Sequence, residues 1–91
     1  MTLKYIKLEK NEELEKAIYA ADLNDGKVHW DEEIALIRRE FKDDLGLPIF
    51  DYVVKQSYKF KSKRKPTDFE PRIFDNYGEA LANYNERLKT I

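Results

Sequence analysis

Hydrophobic and polar positions change period along this chain. Between residues 11 and 45, apolar side chains recur at three- and four-residue spacing. Leu14, Ala17, Ile18 and Ala21 form one set, and Trp30, Ile34, Ile37, Phe41 and Leu45 the next. That spacing lines one side of a helix and predicts two amphipathic helices in succession. Asn11 and Asp31 stand where N-caps belong, each followed by glutamates (Glu12, Glu13 and Glu15; Glu32 and Glu33) that a helix dipole favours in its first turn. Asn24-Asp25-Gly26 ends the first predicted helix, and Gly46 with Pro48 ends the second.

From Phe50 the period becomes two. Phe50, Tyr52, Val54, Gln56, Tyr58 and Phe60 alternate with Asp51, Val53, Lys55, Ser57, Lys59 and Lys61. This predicts a long, half-buried strand with its aromatic side turned inward. Pro66 and Pro71 bracket a connection, and Phe69, Arg72, Ile73 and Phe74 predict a shorter strand antiparallel to the first. Asn76, with Glu79 three residues on, resembles a capping box; Tyr77, Ala80, Leu81, Tyr84, Leu88 and Ile91 then mark a third helical stripe. With Leu3-Lys4-Tyr5-Ile6-Lys7-Leu8 as a short initial strand, the predicted order is β-α-α-β-β-α. The expected fold is α+β, a single domain over residues 1–91 with three helices packed on one face of a small antiparallel sheet. A winged-helix-like arrangement, with residues 50–74 as the wing, is the alternative, although one helix short.

Composition supports a packed interior: 91 residues, 42% of them hydrophobic and 13% aromatic, suffice for a small core. The chain has no cysteine, which excludes disulfides, thiolate metal sites and a thiol nucleophile. Met1-Thr2-Leu3-Lys4-Tyr5 shows no apolar leader and no run reaches membrane-spanning length, so a cytoplasmic location is expected.

Charge is distributed unevenly beneath a formal net of -1. Residues 1–51 carry 8 Lys/Arg against 13 Asp/Glu, a net of -5. Residues 52–65 carry Lys55, Lys59, Lys61, Lys63, Arg64 and Lys65 with no acid, a net of +6. The remainder is -2. One positive segment therefore interrupts an otherwise acidic chain, and such asymmetry bears on partners more than on fold.

Catalytic chemistry lacks its parts. His29 is the sole histidine, too few for a zinc site, and the only serines, Ser57 and Ser62, lie in the basic strand and loop. Gly26 and Glu32 stand at the sixth and twelfth positions of a calcium loop, but Ala21 and Leu23 occupy the first and third and offer no side-chain oxygen. The pairs Asp43-Asp44 and Glu32-Glu33 are adjacent in sequence and diverge on a helix. No glycine-rich phosphate loop is present.

The basic segment carries the functional expectation. A cationic hairpin end neutralises phosphates or steers an acidic protein surface, and its plain alternative is a solvated loop. The expected function is a non-enzymatic, cofactor-free protein-binding module. It would act as a small regulator or inhibitor of a larger nucleic-acid-processing enzyme, meeting its partner through Lys55, Lys59, Lys61, Lys63, Arg64, Lys65 and Arg72. Direct nucleic-acid binding by the same hairpin is the alternative. Alternation places Tyr58 and Phe60 opposite Lys59 and Lys61, so the rings are expected in the core rather than as stacking platforms. A monomer or a weak homodimer is expected, with no membrane partner.

Overall fold

Most of the chain is strand, with one helix near its end. The structure, a computed structural model, describes residues 3–24 and 26–90, the side chain of Asn24 excepted. Ile91, expected to close the third helical stripe, Asp25 in the expected helix stop, and Met1 and Thr2 lie outside the described residues. Five strands form one antiparallel sheet: β1 (Glu12–Asn24), β2 (Lys27–Lys42), β3 (Pro48–Phe60), β4 (Thr67–Asp68) and β5 (Arg72–Phe74). They are followed by α1 (Tyr77–Leu88). The order across the sheet is β1-β2-β3, with β4 and β5 sharing the far edge of β3.

The expected three-helix arrangement is therefore wrong, and so is its winged-helix alternative. Both segments predicted as the first two helices are long strands paired to each other. The reason lies at residues 34–37. Ile34, Ala35, Leu36 and Ile37 are all fully buried, Ile34 and Leu36 on one face of the sheet and Ala35 and Ile37 on the other. A strand covered on both faces reads as a continuous apolar run, and such a run counterfeits helical spacing. Burying each large aliphatic side chain contributes about 1.5–3 kcal/mol, more than the few tenths per residue by which helix propensities differ.

The expected helix stops are hairpin turns. Asn24 pairs with Lys27 across a two-residue connection, and Gly26 takes φ +74°, the left-handed conformation that such tight turns require. Lys42 pairs with Pro48 across a longer loop in which the Asp43 carboxylate accepts from the backbone N–H of Leu45 (2.9 Å) and Leu47 (2.8 Å). Asn11, expected as an N-cap, instead closes the sheet: its side chain donates to the Glu40 carbonyl and its carbonyl accepts from the Glu40 N–H.

The other predicted elements have local support. β3 and β5 pair antiparallel, Tyr52 opposite Phe74, and the Asn76 side chain caps α1 by accepting from the Glu79 N–H at 2.9 Å. Ala80 and Tyr84 press α1 onto Ile34, Leu36 and Val54, with Ile18, Tyr52, Phe74, Leu81 and Leu88 around them.

The opposite face is covered by the segment before β1. Residues 3–8, expected as a strand, form none; they cross the sheet as an irregular strap whose Ile6 packs on Ala35, Ile37 and Val53. Glu33 is only 1% exposed, and its carboxylate accepts from the backbone N–H of Lys4, Tyr5 (2.8 Å) and Ile6 (3.2 Å). Backbone groups that a strand would satisfy in a ladder are satisfied here by one buried anion. The body is long, 56 Å by 24 Å by 22 Å, with a radius of gyration of 15.0 Å. A compact chain of this length would measure about 12 Å.

Replacing Glu33 by alanine leaves three backbone donors without their acceptor. Glu33→Ala should destabilise the protein by about 2–4 kcal/mol in urea unfolding, with early loss of hydrogen-exchange protection at the Ile6 amide. Unchanged stability would show that water replaces the carboxylate at no cost.

Candidate functional site

β3 reaches the basic loop intact. Beyond Phe60 the chain turns: the Lys61 N–H donates to the His29 carbonyl (2.9 Å) and the Lys63 N–H to the Phe60 carbonyl (3.0 Å). Lys61, Lys63, Arg64 and Lys65 are exposed and form no ion pair with any described residue. Lys59 is half-buried opposite Asp31, with its ammonium donating to the Phe60 carbonyl (3.3 Å). Lys61 and Lys59 line a depression with Lys27, Tyr5 and Asp31.

Two expected site residues stand apart from this group. Lys55 lies mid-strand against the strap, with its ammonium 3.0 Å from the Glu12 carboxylate and 3.4 Å from the Lys7 carbonyl. It braces the fold. Arg72 sits on β5 opposite Val54, its guanidinium over the Phe74 ring at 5.8 Å. Burial, together with the Arg72 charge, lowers the pKa of Arg87 from its ordinary value.

The rings near the loop are not the core that alternation predicts. Phe60 is 44% exposed and Phe69 43%, while Trp30 and Tyr58 are half-buried. Tyr58 meets Phe60 edge-on (5.4 Å, 89°) and Phe69 at a tilt (5.4 Å, 47°). With Glu32, these four rings line one shallow depression. Trp30 pairs with Phe60 and Glu32 with Tyr58 across β2 and β3, and the Phe69 N–H donates to the Gln56 carbonyl (2.9 Å). Sequence reasoning misses this cluster because Phe69 arrives from beyond the loop and because exposure depends on where α1 ends. The one available signal was the density of rings flanking a cationic run.

Behind this end, Asp31 is a buried acceptor rather than a helix cap. Tyr5 Oη donates to it at 2.7 Å, Tyr19 Oη at 3.0 Å and Lys4 Nζ at 3.5 Å. Burial pushes its pKa up, but the hydrogen bonds from Tyr5, Tyr19 and Lys4 together outweigh burial and hold it below 3.8. Burial and the bond to Asp31 push the Tyr5 hydroxyl up to about 12.

The far end of the sheet has a different character. The hairpin between β2 and β3 carries Leu45 (84% exposed), Leu47 (57%) and Ile49. Its base is braced by the forked pair Arg39–Asp51 (2.7 and 2.6 Å), and Arg38 lies over the Phe50 ring at 4.8 Å.

Comparisons with protein-family models, with curated proteins and with solved structures find no significant match to this chain. Among the described residues, no helix is long and apolar enough to cross a membrane.

The depressed Asp31 carboxyl makes stability depend on pH. Its contribution should be complete above the ordinary value of 3.8 and disappear as pH falls through the lower value of the folded protein. Asp31→Asn should be less stable at neutral pH and should lose less on acidification, as followed by urea midpoints. An acid limb as steep as that of the unaltered protein would assign the effect to another group.

Proposed function

We propose that the protein is a non-enzymatic protein-binding module, a small regulator or inhibitor of a larger, nucleic-acid-processing enzyme. We further propose that it docks through the loop end of the sheet. One observation carries this reading: four partly exposed rings and four cations that pair with no described residue share one end of a sheet braced on both faces. Interface centres are rich in Trp, Tyr and Phe set in preformed surfaces, and charges at the rim accelerate encounter. Lys61, Lys63, Arg64 and Lys65 supply that rim, with Lys59 behind them; Lys55 is spent on Glu12 and Arg72 stands apart, opposite Val54. In this reading the protein works in the cytoplasm, as a monomer or a weak homodimer, without a cofactor.

Single-stranded nucleic acid is the second reading, favoured by rings on a sheet face next to a cationic loop. The carboxylate of Glu32 among those rings weighs against it, because it repels phosphate.

Reversal of Lys61, Lys63, Arg64 and Lys65 to Glu should leave unfolding unchanged, since all four are exposed, and should weaken capture of the partner at least ten-fold in pull-downs from the native host. Undiminished capture would remove the loop from the interface. A single-stranded oligonucleotide titrated at low salt should give no binding; a complex that weakens steeply with added salt would transfer the assignment to nucleic acid.

A further inference from the structure

The aromatic depression contains a discriminating feature that the rings alone do not supply. Glu32 is a buried residue on the sheet face that α1 packs against, between Trp30 on its own strand and Tyr58 opposite. Its Oε2 accepts from Gln56 Nε2 at 2.8 Å, and Gln56 Oε1 accepts in turn from Arg87 Nη1 at 3.4 Å. That chain fixes the carboxylate's orientation. Oε1 accepts from no described residue. Glu32 keeps 8% of its surface exposed and lines the depression.

The angles between the rings decide what kind of ligand fits. Phe60 stands at 89° to Tyr58 and Phe69 at 47°. Successive bases stack on a run of open, similarly oriented ring faces, which rings in mutual contact at these angles do not present. A shallow aromatic surface that includes a carboxylate suits an organic cation, attracted by the ring faces and by the carboxylate together. We infer that Trp30, Tyr58, Phe60, Phe69 and Glu32 form a receptor for one cationic side chain, a guanidinium or an alkylated ammonium, presented by the protein partner. This rests on the docking surface proposed above and adds the chemistry of its central contact. The neighbouring Lys61, Lys63, Arg64 and Lys65 oppose a broadly basic ligand. The partner's cation therefore stands within an acidic surface, which those four residues meet.

Trp30 is the only tryptophan of the chain, so its fluorescence reports on the depression directly. The probes are arginine amide, lysine amide and trimethyllysine amide, each N-acetylated, with acetyl-citrulline amide as the neutral match for arginine and an oligothymidylate as the anionic control. Saturable binding of arginine or trimethyllysine amide is expected, at least ten-fold tighter than citrulline amide, and the tighter of the two identifies the partner's side chain. Glu32→Gln keeps a side chain able to bond Gln56 and should weaken the cation at least ten-fold. Phe69→Leu, which keeps apolar volume but loses a ring face, should weaken it several-fold, and urea midpoints check that both variants fold. Equal binding of citrulline amide, an unchanged affinity in Glu32→Gln, or no response to any cation would overturn the inference. If loop reversal abolishes partner capture while no cation binds, the protein-binding reading stands and this receptor falls. If cations bind as described while capture survives loop reversal, the receptor stands and the docking role of the loop falls.

Discussion

The Glu33 carboxylate binds the backbone of residues 4–6 to the sheet, and the two-sided burial of the central strand depends on that bond set. A strand can be apolar on both faces only when something other than water lies on each. α1 supplies one cover through Ala80 and Tyr84. The strap supplies the other, yet it has no ladder of its own to hold it. Its attachments are anions and cations of the sheet: Glu33 on three amides, Asp31 on Tyr5 and Lys4, Lys55 on the Lys7 carbonyl. Charge at buried positions of β2 and β3 thus has a structural duty: Asp31 and Glu33 on β2 and Lys55 on β3 grip the strap.

The same economy leaves both ends of the sheet bare. A helix of 12 residues is about 18 Å long, while a strand of 13 residues extends for about 43 Å. α1 therefore covers the middle of one face and cannot reach both ends. At one end the uncovered positions are aromatic and beside the cationic loop; at the other they are the leucines of a braced hairpin. The functional surface follows from a mismatch in element length.

Legibility in the sequence followed locality. The strand at residues 50–60 shows its period because charged and aromatic residues alternate there, and α1 shows itself through Asn76 and a stripe that packs on one face only. Residues 12–24 and 27–42 mislead because coverage of their second face comes from residues 3–8, remote in sequence. Without knowledge of that cover, Trp30, Ile34, Ile37 and Phe41 resemble a helical stripe, although Trp30 and Ile34 lie on one face of β2 and Ile37 and Phe41 on the other. The glycines mislead for a related reason: Gly26 and Gly46 both adopt positive φ, which serves a helix end and a hairpin equally. The basic loop was legible as charge. Neither the detachment of Lys55 from it nor the joining of Trp30 and Phe69 to it could be read without the register.

The hairpin tip and the cationic loop are fixed to the two ends of the same pair of strands, Trp30 opposite Phe60 at one and Lys42 opposite Pro48 at the other. Twelve residues of extended chain separate them, about 40 Å. The molecule is in effect a ruler with unlike ends. A short peptide occupies one end and leaves the other vacant, whereas a body that grasps both must present two sites at that fixed spacing.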